Sequence, residues 1–345
     1  MPSRSMIAAN TAIFRSLDKY CLAHEDPLSN AGAPRWIRTT SFQRQFLMHA
    51  VLVEELSFSP TLKLARFDFS NRALFISSGF DSVDLPASLQ VHDIDGGVLT
   101  AFLSEVHLAP MVPPSQIRNA IEVADKDSTP GYDGHDPVFV SSLYPKMQAF
   151  SVEDLLAEES FKIFFLICLS DRRAQQWIDS QLAEVLSLLI QLNPASIPYR
   201  VLCGSVLETE PSALFLAFYR CLEALYAHTQ TRRLMDSLEI SKPWTEMAHI
   251  LEETLGWYPR EEQSLERLLG YGVVEDLKAV ASAMNVQIPS ESRPSTFVAK
   301  RIYLLRNAVV HYRPFHQKFS FKETNWNRLC EAMALIVLHI YSEVK

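Results

Sequence analysis

The chain has 345 residues, of which 48% are hydrophobic and 21% are charged, and its formal net charge is −8. This is a globular balance with enough apolar material for two domains or one large one. No run of eighteen uncharged apolar residues occurs, which excludes a membrane-spanning helix, and no basic segment precedes an apolar one at the N-terminus, so no secretion signal is expected.

The first part of the chain has the spacing of a small β-rich domain, which we place at residues 1–125. An amphipathic helix is predicted over Ala8–Leu22. Apolar and polar residues then alternate over Leu62–Phe69, as they do in a half-buried strand. Three further strands are predicted, separated by glycine-containing turns, over Ala73–Ser77, Ser88–Ile94 and Val98–Leu103.

A polar segment rich in proline and glycine predicts a linker at residues 126–137. The pattern then turns helical, and residues 138–204 are predicted to form a connecting helical region. Ser151 and Asp154 have capping-box spacing, so a helix is predicted over Ser151–Glu159. A second helix is predicted from Asp171 to Leu192, where Asn193-Pro194 ends it.

The remaining residues, 205–345, have helical spacing throughout. Proline lies near the start of several predicted helices, and proline or glycine follows their ends. Short loops between such helices are typical of an all-α bundle. The predicted fold class is therefore α+β, with a β-rich N-terminal domain followed by a C-terminal all-α helical bundle.

The spacing of the cysteines and the absence of nucleotide-binding motifs narrow the kinds of functional site that the chain can contain. The five cysteines are scattered and form no C-x-x-C pair, which favours buried thiols in a reducing cytoplasm over a disulfide scaffold or a zinc site. No Walker-type or G-x-G-x-x-G loop is present. We therefore expect no metal and no cofactor. A weaker metal candidate, His92 with Asp93 and Asp95, is better explained as a surface strand, because His92 would point away from both acids.

Basic residues concentrate near the C-terminus of this acidic chain. From residue 293 to residue 328 there are eight lysines and arginines and a single acid, Glu323, which gives +7. A patch of this kind can hold a phosphate backbone, although a solvated helix face would have the same composition. The residues expected to contact RNA are Lys300, Arg301, Arg313 and Lys318.

The helix predicted from Pro294 to His311 carries three polar residues at its C-terminal end, Arg306, Asn307 and His311. Asn307 and His311 are four residues apart, so they share a face, and the amide can orient the imidazole. Arg306 is about 140° away from His311 on an ideal helix. The two side chains can converge only if the helix end relaxes, as Pro314 favours, or if a second subunit contributes.

Arginine and histidine together suit metal-independent cleavage of RNA by its own 2′-hydroxyl group. That reaction needs a proton acceptor, a proton donor and a cation at the phosphate. Histidine titrates near neutral pH, and arginine offers a fork of donors that matches a phosphate. One chain supplies a single histidine at this position, so a symmetric dimer is one way to supply a second.

The residues Arg306-Asn307-Ala308-Val309-Val310-His311 resemble the R-x4-6-H motif of the HEPN superfamily, and Phe218–Tyr226 resembles the first helix of ApeA-like HEPN domains. The resemblance implies a HEPN-type bundle at 205–345 with Arg306 and His311 as catalytic residues. Asn307 would orient His311, and Glu223 and Arg220 would support the site. It also implies a homodimeric endoribonuclease, an effector of anti-phage defence or a toxin, with RNA as substrate and an antitoxin or regulatory protein as a further partner.

Two alternatives stay open. A HEPN-type module can bind nucleotides, RNA or proteins without cutting, with Arg306 and His311 as phosphate ligands or helix-end caps. A purely structural helical adaptor would use Arg306 in an ordinary salt bridge. The aromatic residues of the bundle, among them Tyr219 and Tyr226, are more typical of a core or a dimer interface than of base stacking.

Overall fold

The computed structural model describes residues 4–81, 89–123, 133–153, 159–192, 197–311 and 323–344. The chain divides into two compact units, residues 1–172 and 173–345. The first contains a sheet with helices, and the described part of the second is helical, so the fold is α+β. Within the described residues, no helix combines the length and the apolarity that crossing a membrane requires.

Unit 1 contains one antiparallel sheet whose five strands lie in the order β1-β2-β3-β5-β4. The strands are β1 (Val51–Ser57), β2 (Lys63–Phe69), β3 (Arg72–Ser78), β4 (Gln90–His92) and β5 (Met147–Glu153). The helices of this unit are α1 (Met6–Ala23), α2 (Ser41–His49), α3 (Gly96–Val106), α4 (Pro114–Arg118), α5 (Pro137–Ser141) and α6 (Ser160–Leu169), and a π-helical turn (Asn119–Val123) follows α4.

The two faces of the sheet pack against different helices, because successive side chains of a strand point to opposite sides. Phe67 and Ile76 belong to the core that also contains the buried residues of α1 and α3. On the opposite face, the Phe75 ring meets the Phe164 ring of α6 edge-on, at 5.6 Å between centroids. Arg66 lies buried on this second face, where it donates to Asp68 and Ser160.

Several predicted elements of unit 1 are confirmed. The predicted helix Ala8–Leu22 lies within α1, and the first two predicted strands, Leu62–Phe69 and Ala73–Ser77, form β2 and β3. The strand predicted over Ser88–Ile94 is shorter, since only Gln90–His92 pair with β5.

Two predicted elements are wrong. Val98–Leu103 is not a strand but lies in α3, where the Asp95 carboxylate accepts from the backbone N–H groups of Gly97 and Val98 and caps the helix. A short, continuous apolar run does not distinguish a buried strand from a buried helix. Ser151–Glu153 is not the start of a helix but the end of β5, where Ser151 pairs with Leu74 of β3.

The division between the units also lies further along the chain than the predicted linker at 126–137, of which residues 126–132 fall outside the described ranges. The reason is β5, which follows that segment and lies between β3 and β4 in the sheet. Residues 138–172 therefore belong with the β-rich unit instead of forming a connecting helical region. Unit 2 correspondingly begins before residue 205.

Unit 2 is built around the last helix. The short helix α7 (Arg172–Gln175) crosses the division, and the helices that follow are α8 (Ser180–Leu188), α9 (Tyr199–Leu207), α10 (Ser212–Glu223), α11 (His228–Ser237), α12 (Trp244–Leu255), α13 (Glu261–Leu269), α14 (Val274–Ala283), α15 (Pro294–Val310) and α16 (Trp326–Glu343). Nine residues of α16 are buried, and the helix packs on α8, α10, α13 and α14. In turn, α15 packs on α10, α13 and α14.

The helices predicted near the C-terminus agree closely with the observed ones. Proline precedes or opens α12 and α15, and Gly256, in a left-handed conformation, ends α12. Gly270 and Gly272 follow the end of α13 and separate it from α14, in line with the predicted position of glycine after helix ends. The single long helix predicted over Asp171–Leu192 is instead broken into α7, α8 and a short 3-10 turn.

Candidate functional site

The end of α15 brings the three motif residues to one edge of unit 2. The inner side of this helix is buried through Val298, Ile302 and Leu305. Near its C-terminus, Arg306 and Asn307 are half-buried. His311 has left the helix, with φ −110° and ψ 105°, and its backbone N–H still donates to the Asn307 carbonyl at 2.9 Å. The exposed His311 therefore no longer follows the ideal helical spacing, and among the described residues no hydrogen bond joins its side chain to Arg306.

Arg306 is held by three groups. Its Nη1 donates to the Asn307 Oδ1 at 3.0 Å, and its Nη2 lies 3.8 Å from the Glu223 Oε1 of α10. The guanidinium carbon lies 5.6 Å from the centre of the Tyr219 ring, in cation–π range. A guanidinium has five N–H donors, so this arrangement fixes its plane and still leaves donors for an anion.

A pair of buried tyrosines lies beneath Arg306. The rings of Tyr219 and Tyr226 meet at right angles with 6.4 Å between centroids. Their hydroxyl groups act on each other electrostatically, although neither makes a hydrogen bond of regular geometry to a described residue. Burial raises the pKa of Tyr219 to about 12 and that of Tyr226 further, so both phenols are neutral in the physiological range.

Glu223 is the carboxylic side chain of the site, and its environment disfavours the charged form of this group. Burial raises the pKa of this carboxyl, the guanidinium of Arg306 opposes that rise, and the carboxylate of Glu261 at the start of α13 adds to it. Arg220, one turn earlier on α10, opposes it more weakly. About a third of the Glu223 side chain remains exposed, so a ligand can reach it.

The structure thus brings together Arg306, Asn307 and Glu223, three of the predicted site residues. Arg220 is exposed and acts on Glu223 through its charge alone. The predicted role of Asn307 is corrected: its amide oxygen accepts from Arg306, and no hydrogen bond joins its side chain to His311 among the described residues. The adjacent guanidinium is the nearer and stronger donor.

The basic segment is partly neutralised by acids. Arg306 faces Glu223, and Arg328 donates to Glu331 at 2.6 Å. Lys300 is exposed, and the Arg301 guanidinium lies over the Phe297 ring at 5.1 Å. The other two residues predicted to contact RNA, Arg313 and Lys318, lie outside the described residues.

Two residues that face this site were not anticipated as part of it. Tyr219 was assigned to the core, and it is buried, but it also forms the floor under Arg306. Its spacing of four from Glu223 was the available signal, because residues four apart share a helix face. Glu261 acts electrostatically on Glu223, Tyr219 and Tyr226, and no sequence signal connects it with them.

The other candidates offer less chemistry. His92 is exposed, and its ring nitrogen Nδ1 contacts the Asp93 carbonyl at 2.8 Å. In the part of the chain that the structure describes, no group of three or more His, Cys, Asp or Glu side chains could hold a metal ion. All five cysteines are free thiols in buried positions, as predicted.

Comparisons with known proteins do not assign the chain to a family. Neither a protein-family model, nor a curated protein, nor a solved structure shows significant similarity to it.

Proposed function

We propose that the chain is a metal-independent endoribonuclease of the HEPN type, which cuts RNA through attack of the 2′-hydroxyl on the adjacent phosphate. The observation that carries this proposal is the fixed, half-buried Arg306, held by Asn307, Glu223 and Tyr219 close to the point where His311 leaves α15. A fixed guanidinium beside a titratable imidazole is what phosphoryl chemistry without a metal needs.

In the proposed reaction, the free N–H groups of Arg306 bind the scissile phosphate and stabilise the charge that builds on it. His311 is exposed, and in the proposed reaction it protonates the leaving oxygen of a bound strand. Lys300 is exposed on α15, and in the same proposal it contacts a neighbouring phosphate.

The biological setting follows the resemblance to HEPN domains. We propose an RNA-cutting effector of anti-phage defence or a toxin, acting as a homodimer and controlled by an antitoxin or another regulatory protein. Leu304 and Val310 are exposed apolar residues on α15, the first just before the motif and the second within it, which supports a contact between two copies of this helix.

The test is an RNA cleavage assay with the full chain in excess EDTA. We expect the wild type to cut RNA and to leave 2′,3′-cyclic phosphate ends, and Arg306→Ala and His311→Ala to reduce the rate by at least about a hundredfold. His249→Ala is the matched control, because His249 is an exposed histidine of α12 that pairs with Glu253. Undiminished cleavage by His311→Ala would refute the proposal.

A second candidate is a non-catalytic module that binds RNA, nucleotides or a protein. The observation that favours it is that Asn307 accepts a hydrogen bond from Arg306, and among the described residues no hydrogen bond orients the His311 ring for proton transfer. This function predicts that wild type binds RNA in EDTA without cutting it, and that Arg306→Ala weakens binding.

A further inference from the structure

Cleavage by the 2′-hydroxyl needs two proton-transfer groups, and the motif supplies a single histidine. One group must accept the proton of the hydroxyl, and another must protonate the oxygen that leaves. The sequence suggested that a second copy of His311 fills this need in a dimer. The structure offers another group within the same unit, because α10 carries Glu223 to the Arg306 guanidinium.

We propose that Glu223 is the general base of the reaction and that His311 of the same chain is the general acid. This inference rests on the proposed function and names a catalytic residue for it. It makes each copy of the chain chemically complete, so that a dimer, where it forms, contains two separate sites.

The distance between Glu223 and Arg306 suits a base better than it suits a structural ion pair. A tight charge-assisted hydrogen bond has about 2.7–2.9 Å between nitrogen and oxygen. The observed 3.8 Å between Nη2 and Oε1 is longer and leaves carboxylate lone pairs available. With about a third of its side chain exposed, Glu223 can meet a hydroxyl group next to a phosphate bound at Arg306.

The surroundings fit the same role. The phenols of Tyr219 and Tyr226 shield the site from water on its inner side. Burial raises the pKa of Glu223, and a carboxylate of higher pKa is a stronger base. Arg306 opposes this rise in the pKa of Glu223 and is the group that binds the phosphate, so base and phosphate meet at one place.

The step balances in atoms and charge. The Glu223 carboxylate takes the proton from the 2′-hydroxyl, and the oxygen forms a bond to phosphorus. The bond between phosphorus and the 5′ oxygen breaks, and the His311 imidazolium gives its proton to that oxygen. The products are a 2′,3′-cyclic phosphate and a free 5′-hydroxyl, with a neutral carboxyl and a neutral imidazole left on the protein.

The decisive experiment measures kcat/KM against pH for full-length Glu223→Gln, with Glu275→Gln as matched control. We expect wild type to lose activity on the acid side as Glu223 is protonated. Glu223→Gln should lower the rate by about 10²–10⁴-fold and should no longer show that acid limb. Glu275→Gln also removes a carboxylate of unit 2, but Glu275 is exposed at the start of α14 and has no ion pair with Arg306, so this variant should change the rate by less than about threefold.

The outcomes separate this inference from the proposed function. If wild type does not cut RNA, or if Arg306→Ala cuts as well as wild type, both fall. If Arg306→Ala and His311→Ala are inactive but Glu223→Gln keeps the acid limb, Glu223 merely positions Arg306 and this inference alone is overturned. Glu223→Asp keeps the carboxylate, so it should retain the limb and part of the activity.

A mixing experiment tests whether the two groups act in the same chain. Inactive Glu223→Gln and His311→Ala are unfolded together, refolded and assayed. If base and acid come from one chain, the mixture stays as inactive as its components. If they come from two copies, randomly assembled dimers regain about a quarter of the wild-type activity, because half of them contain one complete site. That recovery would overturn the inference.

Discussion

Arg306 shows how one charged side chain is held without being buried completely. Its methylene stem lies among packed helices, while the guanidinium meets an amide, a carboxylate and an aromatic face. A guanidinium stays protonated at every physiological pH, so the titratable partner in this contact is Glu223. The aromatic face contributes orientation, because a planar cation over a ring has one preferred plane.

For stability, the ring of Tyr219 should therefore matter more than its hydroxyl group. Tyr219→Leu removes the ring beneath Arg306 and leaves a cavity, and it should lower the free energy of unfolding by about 2–4 kcal/mol. Tyr219→Phe keeps the ring and removes a buried hydroxyl that lacks a regular hydrogen bond, so it should change the free energy by less than about 1 kcal/mol. Urea unfolding of both variants checks this. Equal losses in the two variants would show that the hydroxyl makes a strong bond.

At the scale of elements, sequence patterns predicted the helices near the candidate site but not their contacts. Proline before α12 and at the start of α15 fixed where these helices begin, because proline lacks the donor that an interior helix position needs. The pairing of Glu223 with Arg306 depends on α10 packing against α15. Neither segment contains a sequence pattern that identifies the other as its packing partner. The motif residues could therefore be identified from the sequence. The Tyr219 ring beneath Arg306 and the hydrogen bond between Arg306 and Asn307 could not.

The β-rich unit illustrates the same limit. β2 was predicted from its alternating residues and β3 from the turn that follows it, and in the sheet successive residues of both strands are buried. α3 was not predicted, since all but two of its residues are buried and a helix that is apolar all round has no period to detect. β5 was missed because its place between β3 and β4 is set by long-range pairing, and local capping signals favoured a helix instead.

A side-chain hydrogen bond joins two helices of the bundle and gives a second test. The Asp276 carboxylate of α14 lies 2.8 Å from the ring nitrogen Nδ1 of His339 in α16, and Asp276 is largely buried. His339→Ala leaves this carboxylate without that partner and should lower the free energy of unfolding by about 1–2 kcal/mol at neutral pH. His249→Ala breaks an exposed pair with Glu253 and should cost less than about 0.5 kcal/mol. Thermal or urea unfolding distinguishes the two, and equal effects would contradict the assignment.

At the scale of the whole molecule, all residues proposed to act in the chemistry lie in unit 2. Arg306, His311, Asn307 and Glu223 follow residue 172, and they are positioned by α10 and α15. Unit 1 has its own core, formed by the sheet together with α1 and α3. Under the proposed function, unit 2 would cut RNA, and unit 1 would sense a trigger or position the substrate.

This division predicts that residues 173–345 fold without the first unit. The core around α16 lies within that fragment, so it should unfold cooperatively in urea with an m-value of about 1–3 kcal/mol per molar. Tryptophan fluorescence reports on it directly, because Trp177, Trp244, Trp257 and Trp326 all belong to this unit. The fragment should also cut RNA in EDTA and lose that activity with Glu223→Gln, because the base, the acid and the phosphate ligand are all retained. A gradual transition without a plateau would show instead that unit 2 needs unit 1 to fold, whereas a cooperatively folded but inactive fragment would place a substrate-binding contribution in unit 1.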